Sequence, residues 1–198
     1  FDADRLTGNL RARLAKDGEA VLALDDITYT LDGQTIVIAD DAKALGIAGV
    51  MGGKDSGSYD DTVNVFIESA WFDPARIART GRKHGIISDA RYRFERGVDP
   101  QFVLPGLELC TRYILDWCGG EASDVFIAGE LPPPHKPIVF DPARVTSLGG
   151  IDVPRPRIIE ILQNLGFVVE EHGTDLQVVP PSWRHDVDGP ADLVEEVV

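Results

Sequence analysis

Residues 131–137 read LPPPHKP, with four prolines in seven positions. Proline has no amide hydrogen to give a helix or a sheet ladder, and consecutive prolines hold the chain extended and stiff. Neither regular element can run through this stretch. The sequence therefore predicts two separately folded parts, 1–131 and 132–198, each with a core of its own. A length of 198 residues with 43% hydrophobic and 26% charged side chains suits that division.

The first part alternates short apolar runs with turn residues. LRARLA, AVLALD, ITYTL and TIVIAD between residues 10 and 40 read as strands, separated by KDGE, DD and DGQ. VNVFIE at 63–68 reads as one more. Asp-Pro pairs then recur at 73–74, 99–100 and 141–142. Asp is a good N-cap and Pro suits the first helical position, so each pair predicts a helix start. The first helix runs to about His84 and stops at Gly85. The second runs to about Cys118, is interrupted near Pro105-Gly106 and stops at Gly119-Gly120. Beyond the prolines, helices are predicted over 142–148 and 156–165. The second of these turns Ile158, Ile159, Ile161, Leu162 and Leu165 inward, with Gly166 past its end. Strands FVVEEHG and DLQVVPP follow, then an acidic helix from about Pro190. The pattern is α+β with antiparallel or mixed sheets in both parts.

No apolar run approaches the ~20 residues of a bilayer span. The opening residues lack the basic and apolar regions of a signal peptide, and both ends look cut from a longer polypeptide. Cys110 and Cys118 are too far apart along one helix to bridge, which fits a reducing cytoplasm. Four scattered histidines without HExxH or CxxC speak against a zinc enzyme.

The formal charge of −14 excludes a general nucleic-acid coat, but the charge is unevenly spread. Between residues 76 and 96 lie Arg76, Arg79, Arg82, Lys83, Arg91, Arg93 and Arg96 against Asp89 and Glu95. Arg76, Arg79 and Lys83 recur at i, i+3 and i+7, one helix face, which serves either as a solvated, ion-paired surface or as a contact for RNA or another subunit. In RYRFERGVD, Arg93, Glu95 and Arg96 read as structural ion pairs. Near the end, Asp192, Glu195 and Glu196 fall on one helical face with Asp186 just upstream. Such acids favour a helix N-terminus, and four converging carboxylates also suit a hard cation.

ALGIAGVMGGKDSG at 44–57 is the remaining feature. It lacks the GK[ST] of a Walker loop and the spacing of a dinucleotide fingerprint, so a phosphate cradle is excluded. A tight turn or a close backbone approach to a ligand both remain open. Glu68, closing an apolar run, is out of character there and reads as a strand-end glutamate pointing to solvent or capping Arg76. No Ser-His-Asp or Cys-His set is evident.

AGVMGG, VFIESAWFDPARIARTGRKHG and SDARYRFERGVDP together resemble the B3/B4 domain of the bacterial phenylalanine–tRNA ligase β subunit. LGFVVEEHGTDLQVVPPSWRHDVDGPADLVEEV is similar to the B5 domain that follows it in that family. The resemblance is colinear over nearly the whole chain. It implies an N-terminally truncated B3/B4 domain over 1–131 and a small α+β B5 domain over 132–198. It also implies a cytoplasmic α2β2 heterotetramer that joins phenylalanine to tRNA(Phe) with ATP and Mg2+. The ligation site and ATP belong with the α subunit, so this chain is expected to bind no ATP. What it implies for this chain is an editing pocket hydrolysing mischarged tyrosyl-tRNA(Phe), lined by Gly52, Glu68, Ser88 and Ala90. Gly52 and Ala90 would leave room for an aromatic ring, and Glu68 would recognise the tyrosine hydroxyl. Ser88 stands where threonine is common. A further family histidine, in an LHAFD-like motif, would lie before Phe1. No side-chain nucleophile is assigned, so water would attack the ester. The resemblance assigns Asp186, Asp192, Glu195 and Glu196 to Mg2+ at the contact with the α subunit. Arg76, Arg79 and Lys83 remain candidates for tRNA. The alternative is a docking module for tRNA or subunits that has lost editing.

Overall fold

In a computed structural model all 198 residues, Phe1–Val198, are described. The chain forms two compact units, residues 1–98 with 102–128, and residues 99–101 with 129–198.

The strand-like runs of the first unit pair as their alternation predicts. Strands β1 (Arg11–Leu14), β2 (Ala20–Leu22), β3 (Thr28–Thr30), β4 (Ile36–Ala39), β5 (Ala44–Ile47) and β6 (Met51–Gly52) make two antiparallel sheets. One has the order β1-β4-β5-β6 and the other is the hairpin β2-β3. In the larger sheet Arg11 faces Ala39 and Val37 faces Ile47, with a bulge between Ile38 and Ala39. β4 and β5 are buried almost throughout, which explains their unbroken apolar character. Helix α1 (Pro74–His84) closes this core with Ile77, joined by Phe72 and Ile86. Asp73 accepts from the Arg76 amide at its start, and Gly85 at φ 67° ends it, both as expected.

Three expectations need correction. Residues 63–68 form no strand. They meet residues 1–3 through one antiparallel bridge, Asp2 with Val65, flanked by the Phe66 amide to the Phe1 carbonyl at 2.9 Å. A short 3₁₀ turn at Ala3–Arg5 carries the partner away, so the ladder ends there. A helix not read from the sequence, α2 (Asp89–Phe94), follows Ser88, which caps it by accepting from the Arg91 amide. The third is α3 (Val103–Cys118), which is not interrupted at Pro105. That proline lies in the first turn, where an amide hydrogen has no helical partner to lose. A 3₁₀ turn at Pro100–Phe102 leads into it. α3 buries none of its side chains, and Trp117, stacked on Tyr113, is 79% exposed. Cys110 and Cys118 are free and exposed.

The second unit is an antiparallel sheet of order β7-β9-β8, made from β7 (Ile138–Phe140), β8 (Val168–His172) and β9 (Asp175–Val179). Helices α4 (Ala143–Gly149), α5 (Arg155–Asn164) and α6 (Pro190–Val197) supply its core. Phe140, Leu162, Leu176 and Leu193 are fully buried, each contributing ~1.5–3 kcal/mol from apolar burial. Leu165 does not join the α5 stripe. The helix ends at Asn164, Gly166 takes φ 90°, and Leu165 is 42% exposed. The architecture is α+β, and no helix is long and apolar enough to cross a membrane.

Candidate functional site

Each glycine of residues 46–53 has a different reason to be there. Gly49 has φ +66°, and a Cβ on it would lie 3.0–3.2 Å from Ile77, Phe94 and Phe72. A Cβ on Gly53 would lie 1.8 Å from the Leu45 carbonyl oxygen, so no side chain fits. Gly52 differs from both. It is exposed, and its imagined Cβ meets only Leu24, 3.0 Å from Cδ1. Leu24 is held there because its amide donates to the Gly52 carbonyl at 3.0 Å, beside a bridge between Ala23 and Gly53. The side chain of Leu24 stays 56% exposed. It forms an apolar wall beside Gly52 that the sequence did not single out. Its only sequence trace is an apolar residue placed directly before the Asp25-Asp26 turn.

Ser88 reaches the same loop from α2. Its hydroxyl donates to the Val50 carbonyl at 2.5 Å and accepts from the Arg91 amide at 3.0 Å. Both hydrogen-bonding roles of the side chain are therefore occupied by the fold. Ala90, half-buried in the first turn of α2, follows two residues later. The helix is clamped by Arg91, whose guanidinium donates to the Ile86 carbonyl at 2.6 Å and to Glu95 at 2.9 Å. Arg91 packs where a Cβ on Gly81 would stand, 2.2 Å from its Nε. The Val50–Ser88 bond thus ties the glycine loop, two residues before Gly52, to the start of α2, two residues before Ala90.

Glu68 stands on the extended segment 63–70. Its neighbour Ser69 anchors that segment by donating to the Val103 carbonyl at 2.7 Å. Glu68 itself has neither a hydrogen bond nor an ion pair, and no bond links it to the glycine loop or to α2. Desolvation raises its carboxyl pKa above the ordinary glutamate range, with the Phe1 amino group pulling weakly the other way. The residue is nevertheless exposed by area. Both facts hold together for a side chain whose carboxyl has protein atoms around it while part of the residue stays open to solvent.

The basic band divides into paired and unpaired members. Lys83 pairs with Asp32, and this bond is the main cause that lowers the Asp32 carboxyl to about 2. Arg76 and Arg79 have no side-chain partner, nor do Arg82 and Arg93. The expected ion-pair group therefore centres on Glu95 with Arg91 and Arg96, without Arg93. Arg96 also lies over the Tyr92 ring at 3.8 Å.

The terminal acids do not converge on a cation site. Arg184 draws in two of them, with Nε to Asp186 at 2.8 Å and Nη1 to Glu196 at 2.9 Å. Those bonds hold both carboxyls below their ordinary pKa and raise the guanidinium further. Asp192 is occupied in capping α6, accepting from the Asp188 and Gly189 amides at 3.0 and 2.9 Å. Glu195 is exposed and alone. No group of three or more His, Cys, Asp or Glu is placed to share a metal ion. As arranged, these residues do not fit magnesium, because a resident guanidinium and a helix cap already satisfy them.

Comparison with known proteins accounts for both units. The B3/4 domain family matches residues 1–119, and the tRNA synthetase B5 domain family matches residues 138–198. The phenylalanine–tRNA ligase beta subunit of Paramagnetospirillum magneticum is 54% identical over the whole chain, and that of Rhodospirillum rubrum is likewise 54% identical. In both cases this chain covers 25% of the relative, so it spans about a quarter of the length of the curated relatives it matches. Among solved structures, an N-terminal fragment of the phenylalanyl-tRNA synthetase beta subunit from Pyrococcus horikoshii aligns with a TM-score of 0.46 at 16% identity. It covers 100% of this chain and 57% of that one. The chain belongs to the phenylalanine–tRNA ligase β-subunit family, with a B3/4 domain followed by a tRNA synthetase B5 domain.

Proposed function

We propose that the B3/4 domain of this chain hydrolyses the ester of tyrosine wrongly attached to tRNA(Phe), and that the B5 domain, joined through the proline-rich 131–137, serves as its scaffold. The observation that supports this reading is Glu68, a solvent-reachable carboxylate without a hydrogen-bond or ion-pair partner, with its pKa raised by desolvation. A group so placed gains most from a ligand that brings a hydroxyl. A site built round a substrate hydroxyl can reject the analogue lacking it by ~10⁴-fold, because the polar group is otherwise left unpaired. Phenylalanine and tyrosine differ by that one hydroxyl.

In this reading Gly52 and Ala90 leave space for the ring, and the exposed face of Leu24 lies against it. Ser88 acts through position alone, since its hydroxyl already ties Val50 to α2. No side chain is assigned as nucleophile. Water attacks the ester, and the domain contributes by holding the ester in one orientation. Ligation, ATP and magnesium are assigned to the larger assembly with the α subunit, and no step here passes through a metal. The test uses the whole β subunit assembled with its α partner. Glu68→Ala and Gly52→Trp abolish deacylation of tyrosyl-tRNA(Phe) while phenylalanine charging persists. Full-rate deacylation in both variants would sink the assignment.

A further inference from the structure

The geometry points to a second recognition surface, the solvent sides of α1 and α2, which binds the phosphates and an unstacked base of a single-stranded RNA end. The inference rests on the proposed hydrolysis of an RNA-borne ester and adds where the RNA itself is held. Of nineteen Lys and Arg side chains in the chain, eleven are engaged in ion pairs. Four of the remaining eight are Arg76, Arg79, Arg82 and Arg93, all on these two adjoining helices. In a chain of net charge −14, it is the concentration that stands out: four unpaired guanidiniums within eighteen residues form a local surplus of positive charge suited to anions from outside.

The placement on α1 is systematic. Its buried face is Ile77, Thr80 and Gly81, so Arg79 and Arg82 fall on the opposite side. α2 buries its Arg91 side against Gly81, which leaves Tyr92 and Arg93 outward, with Asp89 the one acid beside them. Tyr92 is 61% exposed and is backed by the Arg96 guanidinium at 3.8 Å. An outward aromatic ring on a cationic support is a stacking platform for a base, and free guanidiniums beside it suit phosphates. An acidic protein would use the guanidiniums and leave the ring without a role. The same short helix carries Ala90, so an RNA end whose ester lay beside Ala90 would have Tyr92 and Arg93 within one turn of the same helix.

The test titrates the 198-residue chain into a fluorescent single-stranded RNA of about a dozen nucleotides across a range of salt. Arg79→Gln/Arg82→Gln/Arg93→Gln is expected to weaken binding about tenfold or more, and to reduce the salt slope by about 2, at ~0.7 per lost contact. Tyr92→Ala is expected to weaken binding about tenfold with the slope unchanged. Arg144→Gln, which removes an equally unpaired charge from the B5 domain, should match the unaltered chain. Unchanged affinity and slope in the triple variant, unchanged affinity in Tyr92→Ala, or competition by polyglutamate equal to that by RNA would each overturn the proposal. So would failure of the unaltered chain to bind at the lowest salt. Glu68→Ala separates the two readings. If it loses tyrosyl-ester hydrolysis while RNA binding is retained, the two sites act independently; hydrolysis intact with RNA binding retained would refute the Glu68 assignment alone, and RNA binding lost would refute the surface.

Discussion

The two units treat their polar and apolar groups in opposite ways. In the B5 domain every helix sends at least one side chain into the core, and three of the four terminal acids are taken up by Arg184 or by the cap of α6. In the B3/4 domain Glu68 and four closely spaced arginines have no partner, and α3 has no fully buried residue, its apolar side chains being half-buried or exposed. A folded chain leaves such groups unsatisfied only where water or another molecule satisfies them. Glu195 and Arg144 stay unpaired in the B5 domain, so the contrast is one of degree, between a more closed chemistry there and a more open one in the first unit, where the functional proposals fall.

That contrast can be broken at several points. The largest effect is expected from Phe140→Ala in the closed unit, a loss of ~3–5 kcal/mol from a fully buried aromatic. Chemical denaturation followed by Trp183 fluorescence measures it, and a loss below ~1 kcal/mol would show that this core is looser than its burial says. Arg184→Met comes next. It leaves Asp186 and Glu196 without their cation, and because the cluster is partly exposed the expected loss is ~1–3 kcal/mol. A more stable variant would mean the acids repel less than they are desolvated.

In the open unit, Ser88→Ala removes a helix cap and the bond to Val50, for ~1–2 kcal/mol. Thermal melting should register this loss, and Ser88→Thr should restore most of it. The smallest effect belongs to Glu68→Gln. The folded state holds the Glu68 proton more tightly than the unfolded chain, so the carboxyl favours folding at low pH and loses that contribution as pH rises through its raised pKa. Replacing it should raise Tm at neutral pH by no more than about 2 °C. The same shift carries a functional sign. If the carboxylate is the acceptor for a tyrosine hydroxyl, discrimination against phenylalanine fades on acidification at a higher pH than an ordinary glutamate would give. A profile that breaks at or below the ordinary range would separate Glu68 from recognition.

Local chemistry was legible where it acts within a few residues. The Asp73-Pro74 start and Gly85 stop of α1 follow from cap preferences, and buried β4 and β5 follow from their apolar runs. Errors arose where a distant partner decides. VNVFIE has the alternation of a strand, but only residues 1–3 reach it. Pro105 looks like a helix breaker until the register shows it in the first turn. The acids 186–196 carry the charge of a cation site, and one guanidinium two residues before Asp186 redirects two of them. For the candidate site, the glycine loop was legible as a tightly packed backbone, as the crowding at Gly49 and Gly53 shows. The wall at Leu24 was not, because a hairpin crossing brings it there.

The pair Gly52-Gly53 has a consequence for how such a chain can change over generations. At position 53 the Leu45 carbonyl denies room to any side chain, so a substitution there is removed for failing to fold before its effect on accuracy is ever tested. At position 52 only the exposed Leu24 side chain stands in the way, and variants survive to be judged on function. Two adjacent, chemically identical residues therefore lie under separate pressures. A saturation library scored once for abundance and once for the proposed tyrosyl-ester hydrolysis would pull them apart: 53 is expected to fail both screens, and, if the proposed pocket holds, 52 only the second.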